Sequence, residues 1–182
     1  SQDFFQEKDL RQSPMTARVS RMRWLAAAAS LALVAVAVWL FTNTGGPTYR
    51  QFAQHDAPSF TVRGVADEAA SDAEKAFAEK NYAAALTAID RLLAVQADDP
   101  TALLYKGICL IELDRTAEAR VLLAPMADGN TALRAEARWY VALSYLKEKN
   151  PPACRAELLK VTAGESRYMP AQELIKSLRA GD

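Results

Sequence analysis

The chain has a single histidine, His55, and only two cysteines, Cys109 and Cys154. One histidine excludes a multi-histidine metal centre, and two cysteines outside any C-x-x-C spacing exclude a thiolate zinc cage. No metal or cofactor is expected. Neither cysteine has a histidine near it in sequence, as an activated thiol would need, and both fall among apolar residues where a free thiol acts as a small hydrophobe. His55 stands in the polar stretch HDAPS, so a solvated side chain is expected there. An excess of one charge is also missing. The 22 basic residues balance 22 acidic ones, which removes the electrostatic footprint of a nucleic-acid binder. Gly45-Gly46-Pro47 follows an apolar segment rather than a strand and has no phosphate-loop pattern. With no catalytic constellation left, the chain is not expected to be an enzyme.

What the chain does have is one long apolar run, residues 24–41, WLAAAASLALVAVAVWLF, with Ser30 its only polar residue. About 17 to 25 apolar residues in a helix cross a bilayer core of roughly 30 Å. The run therefore predicts a single transmembrane helix contacting lipid from Trp24 to its last residue, Phe41. Trp24 and Trp39 fall where aromatic rings prefer the headgroups, and Arg23 can snorkel. A buried soluble helix of this length would carry a polar stripe. A cleaved leader fits less well, because the only A-x-A pattern, Ala35 to Ala37, is followed by Val38, Trp39, Leu40 and Phe41. Lys8, Arg11, Arg18, Arg21 and Arg23 precede the run, whereas Arg50 follows it with Arg63 further on. That asymmetry places residues 1–23 in the cytoplasm and the rest in the periplasm, with a bacterial inner membrane as the expected address. The absence of charge inside the run makes it an anchor rather than a transport element. Ala28, Ala32 and Ala35 share a face that would permit self-association in the membrane, although alanine-rich segments produce such matches by chance. Residues 1–23 carry too little apolar surface to fold alone.

Residues 42–64 read as a linker. Glycine and proline at Gly45, Gly46 and Pro47 end the apolar helix. Tyr49, Phe52, Phe60 and Val62 then lie among polar residues with no helical period. Such a stretch is either an extended tether or a strip lying on the following domain, and its aromatics favour docking.

From about residue 65 the texture becomes alanine-rich and amphipathic, and it repeats. NYAAALTAIDRLL from Asn81, RTAEARVLLAPM from Arg115 and NPPACRAELLKV from Asn150 align at spacings of 34 and 35 residues, read from their numbering. In the first unit Ala73 and Ala85 occupy paired small positions, with Phe77, Tyr82 and a turn at Asn81. In the second, Gly107 and Ala119 are paired, with a turn at Asp114-Arg115 and Pro100 at the opening. In the third, Ala142 and Cys154 are paired, with Tyr145 and a turn at Lys149-Asn150-Pro151.

This pattern resembles the tetratricopeptide repeat over residues 65–180. The departures are Lys80, Asp114 and Lys149 where the family has a glycine before the turn, Thr116 or Pro151 for an aromatic, and Cys154 for alanine. The resemblance implies an all-α chain: one N-terminal transmembrane helix, then an α-solenoid of about three helical hairpins. The expected repeats are about 66–99, 100–133 and 134–168, with a capping helix over 170–180. Pro170 opens that last helix and Leu174, Ile175 and Leu178 form its apolar face.

The resemblance further implies that the first helix of each hairpin lines a groove for a protein or peptide partner. The candidate groove residues are Phe77, Leu104, Tyr105, Ile108, Glu112, Trp139, Tyr140, Leu143 and Lys147, with Asp67 and Glu74 near them. Adjacent residues on a helix diverge, so one of Trp139 and Tyr140 is expected at the surface. The linker is a second candidate occupant of the groove. The order of parts, with Arg63-Gly64 and ARWYVALSYLKEKN over 137–150, also resembles single-pass, membrane-anchored bacterial repeat proteins of the Bacteroidetes type, some of which share the layout of anti-sigma factors. The expected function is a membrane-anchored interaction scaffold. The alternatives are a transmembrane signalling regulator and an accessory of secretion or folding.

Overall fold

The computed structural model describes residues 46–60 and 66–180, and every regular element among them is an α-helix. A one-turn helix, α1 (Tyr49–Phe52), is followed by α2 (Ala66–Ala78), α3 (Tyr82–Val95), α4 (Pro100–Glu112), α5 (Thr116–Asp128), α6 (Arg134–Lys147), α7 (Pro151–Leu158) and α8 (Tyr168–Ala180). Each helix from α2 to α8 packs on the next, and α4 also meets α6. The expected transmembrane run, its basic flank, Val62 and Arg63-Gly64 lie outside the described residues. Among the described residues no helix is long and apolar enough to cross a membrane.

The tight turns between α2 and α3, α4 and α5, and α6 and α7 share one geometry. Lys80, Asp114 and Lys149 have positive φ values of 57°, 61° and 57°. In each turn the next residue's N–H reaches back five positions: Asn81 to Ala76 O (2.8 Å), Arg115 to Leu110 O (2.8 Å) and Asn150 to Tyr145 O (2.9 Å). The left-handed residue itself donates to Phe77 O, Ile111 O or Leu146 O. This paired bonding closes a helix C-terminus and favours glycine at the left-handed position, because a Cβ there crowds the backbone. Lys80→Gly and Lys149→Gly are each expected to stabilise the domain by about 0.5–1 kcal/mol, relief of strain outweighing the added chain entropy. Thermal melting of the single variants checks this, and a lowered midpoint would contradict it.

Caps set the helix starts. Asn81 Oδ1 accepts from Ala84 N (3.2 Å), and Asn150 Oδ1 accepts from Ala153 N (3.2 Å). Asp99 Oδ1 accepts from Thr101 N (2.8 Å) and Ala102 N (3.0 Å), with Pro100 at a position that needs no N–H. Between the helices, Ala73, Ala85, Ala119, Ala142 and Cys154 have no exposed surface. Gly107 lets α4 and α5 approach closely, since a Cβ there would stand 2.6 Å from Leu123 Cγ. Ile89, Leu92, Ile108, Ile111, Leu123, Leu143, Leu158 and Leu174 fill the continuous core, each worth about 1.5–3 kcal/mol of burial.

Charged side chains tie the later hairpins together. Arg138 on α6 is buried; it donates to Ala127 O, to Asp128 Oδ1 (2.8 Å) at the end of α5 and to Glu157 Oε2 (3.0 Å) on α7. Arg120 on α5 lies 4.4 Å from the Tyr145 ring centre and pairs with Glu148 at 2.9 Å. Arg134 at the start of α6 holds Glu165, whose other oxygen accepts from Thr162 N at 2.6 Å. Main-chain bonding from Thr162, reinforced by Arg134, pulls the Glu165 carboxyl down to about 2.

Candidate functional site

The first helices α2, α4 and α6 share a face, and residues 46–60 lie along it as a strap. The strap begins with local chemistry: Thr48 N donates to Gln51 Oε1 (3.0 Å), closing the turn of α1 where the sequence showed no helical period. That turn aims Tyr49 inward. Its hydroxyl donates to Glu112 Oε1 on α4 at 2.5 Å, and Lys147 on α6 sits 5.1 Å from its ring centre. Phe52 meets Trp139 edge-on at 6.4 Å. Downstream, Tyr105 donates to Asp56 O (3.0 Å), Phe60 N donates to Glu74 Oε1 (2.8 Å), and the Phe60 ring packs edge-on against Tyr105 at 5.9 Å.

His55 is at the centre of this contact. Its side chain is 6% exposed, which corrects the expectation of a solvated ring. Nε2–H donates to Glu112 Oε1 at 2.8 Å, and in the neutral ring Nδ1 accepts from the Tyr140 hydroxyl 3.3 Å away. The rings of Phe77, Tyr82 and Tyr140 surround it with centroids 6.2, 6.4 and 5.6 Å away. Chain polarity around HDAPS had pointed outward. The opposing wall comes from residues 57 and 85 positions later, as the two hydrogen bonds show, so no local signal marks it.

The candidate groove residues divide by depth. Tyr105, Glu112 and Lys147 remain partly exposed and touch the strap. Phe77, Trp139 and Tyr140 are buried, with rings in contact with strap side chains. The expectation that one of Trp139 and Tyr140 is exposed is thereby corrected: Phe52 covers the first and His55 the second. Leu143 is fully enclosed in the core, while Leu104 and Ile108 form the floor of a cavity of about 240 Å³. Asp56, Ser59, Tyr105 and Arg167 are also in its lining. Arg167, absent from the expected set, lies 5.9 Å from the Trp139 ring centre and is buried at Nε without a hydrogen-bond partner.

The electrostatics favour docking of hydrogen-bond donors. Burial raises the Glu112 carboxyl, but hydrogen bonds from His55 and Tyr49 and the charge of Lys147 together hold it below the usual range. Burial and the bond to Glu112 push the Tyr49 phenol up. Lys147 is committed elsewhere, to Glu112 O (3.0 Å), Ile111 O and Asp114 (3.0 Å), so it leaves the Glu112 carboxylate to the strap. Burial pushes the Cys109 and Cys154 thiols both up to about 12. Both thiols are free and fully buried. The native chain is expected to resist a soluble thiol reagent at neutral pH and to label at both positions only after unfolding; labelling counted by mass spectrometry tests this.

No protein-family model, curated protein or solved structure matches the chain.

Proposed function

We infer that the chain is a membrane-anchored protein–protein interaction scaffold of the tetratricopeptide type, whose extracytoplasmic groove binds a protein or peptide segment. One observation carries this reading: the face formed by α2, α4 and α6 already holds a peptide segment, the strap, through side chains from all three helices. A face that satisfies one peptide in this way has the aromatic anchors and hydrogen-bond acceptors to satisfy another. The three left-handed turns at Lys80, Asp114 and Lys149, each beside a pair of small buried residues, support the repeat type. The apolar run 24–41 and its basic flank support the anchor and the orientation.

The test is affinity capture by the full-length, membrane-embedded chain. A defined protein is expected to co-purify with the wild type and with Val121→Ser, an exposed position away from the strap. Tyr105→Ala and Glu112→Gln are expected to lose it. Equal recovery with all four chains would overturn the groove as the binding surface. A reporter fused after Asp182 that proves cytoplasmic would overturn the orientation.

A further inference from the structure

The strap is attached to the repeats in an unusual way for a segment so well buried. Tyr49, Phe60 and the His55 side chain are nearly enclosed. Yet among the described residues no backbone–backbone hydrogen bond joins the strap to α2–α8; its own are Gln51 N to Thr48 O and Ala53 N to Tyr49 O. Every polar link to the repeats uses a side chain on at least one end. The helices, turns and caps of the repeats are complete without it. Such a segment can leave the groove without breaking the fold that holds it.

The place His55 occupies has a distinct chemistry. Phe77 and Tyr82 stand at 5.4 Å to one another and Phe77 and Tyr105 at 5.1 Å, which makes a continuous aromatic wall. Tyr140 forms a further side, and the Glu112 carboxylate faces the occupant directly. Aromatic faces attract cations through their quadrupole, and a desolvated carboxylate beside them adds a charge-assisted hydrogen bond. Among basic side chains imidazole is the weakest base, so a lysine or arginine would use this environment more fully.

We propose that the box of Phe77, Tyr82, Tyr140 and Glu112 is a recognition pocket for a lysine or arginine side chain on an extended segment of a partner protein. His55 occupies it as a built-in competitor. The proposal rests on the groove being a peptide-binding surface and specifies what that surface selects. The strap also supplies the spacing: Phe52 on Trp139 lies three residues before the box, and Phe60 on Tyr105 and Glu74 lies five after it. The partner segment is an aromatic residue, a basic residue three positions later, and a second aromatic five positions beyond that.

The test uses the full-length chain in detergent micelles carrying Tyr49→Ala, Phe52→Ala, His55→Ala and Phe60→Ala, which remove the strap's own anchors and vacate the box without touching the repeats. The probes are fluorescent peptides of residues 46–62, identical except at position 55, which holds histidine, lysine, arginine or the neutral isostere norleucine. The lysine and arginine peptides are expected to bind about tenfold more tightly than the norleucine peptide, the scale of a desolvated cation–aromatic contact. Adding Glu112→Gln to the chain is expected to erase most of that difference. Equal binding of the lysine and norleucine peptides would overturn the cation pocket while leaving a peptide-binding groove intact. Failure of every peptide, including the histidine form, would overturn both. In the intact chain, His55→Lys is expected to keep hydrogen-exchange protection of α4 near Tyr105, and His55→Leu to lose it. The reverse order would count against the pocket.

Discussion

Replacing Arg138 with methionine is expected to destabilise the domain by about 3–5 kcal/mol, the range for breaking a buried, hydrogen-bonded ion pair. The guanidinium ties three successive helices together: it belongs to α6, closes the end of α5 at Ala127 O and Asp128, and pairs with Glu157 on α7. Methionine restores much of the volume but none of the donors. It leaves the Ala127 carbonyl at a helix end without its partner, and Glu157 with only Lys160 at 2.8 Å. Lysine keeps the charge but cannot reach three acceptors with one planar fork, so Arg138→Lys should fall between the two. Arg115→Met is the control, because its pair with Glu118 is open to solvent and should contribute nothing measurable. Urea unfolding checks the series: the midpoint should fall for Arg138→Met with the slope unchanged. A midpoint equal to that of Arg115→Met would show that α5, α6 and α7 are held by packing alone.

Gly107→Val is expected to cost about 3 kcal/mol. Even the first added carbon would meet Leu123 Cγ, Cδ1 and Cδ2 at 2.6–2.7 Å, inside any real contact distance. Leu123 has no exposed surface and cannot swing clear, so α4 and α5 must separate. Gly107→Ala should lose less, because alanine recovers roughly 1 kcal/mol of helix propensity while meeting the same wall. A double-mutant cycle isolates the cause. Leu123→Ala alone should cost about 2–5 kcal/mol, and combining it with Gly107→Val should cost less than the sum by more than about 1 kcal/mol. Strict additivity would mean that the two side chains do not compete for the same space.

Both residues show how differently sequence and structure speak. Gly107 was legible, because it falls at the small position that Ala73 and Ala142 occupy in the neighbouring units and its partner Ala119 follows at the same offset. Arg138 was not legible as a clasp. Its partners lie 10, 11 and 19 positions away on two other helices, and nothing in the spacing of ARWYVALSYL separates a buried arginine from a solvated one. The same contrast runs through the groove. The resemblance to the tetratricopeptide repeat implies one groove for Tyr105, Glu112, Lys147 and Leu143 alike; the first three touch the strap, whereas Leu143 lies in the core.

By itself the sequence determined the helical class, the three tight turns, the small residues packed between paired helices and the apolar setting of the two cysteines. These follow from caps, helical period and side-chain size, which act over a few residues or recur with the repeat. Only the tertiary structure decided what covers the first helices. His55 is enclosed, Trp139 and Tyr140 are both buried, and Tyr49 and Phe60 have partners because one irregular segment lies across helices that begin far along the chain. A polar loop carries no periodic signal of its own. Its burial depends on an aromatic wall and a carboxylate that exist only after α2, α4 and α6 have come together.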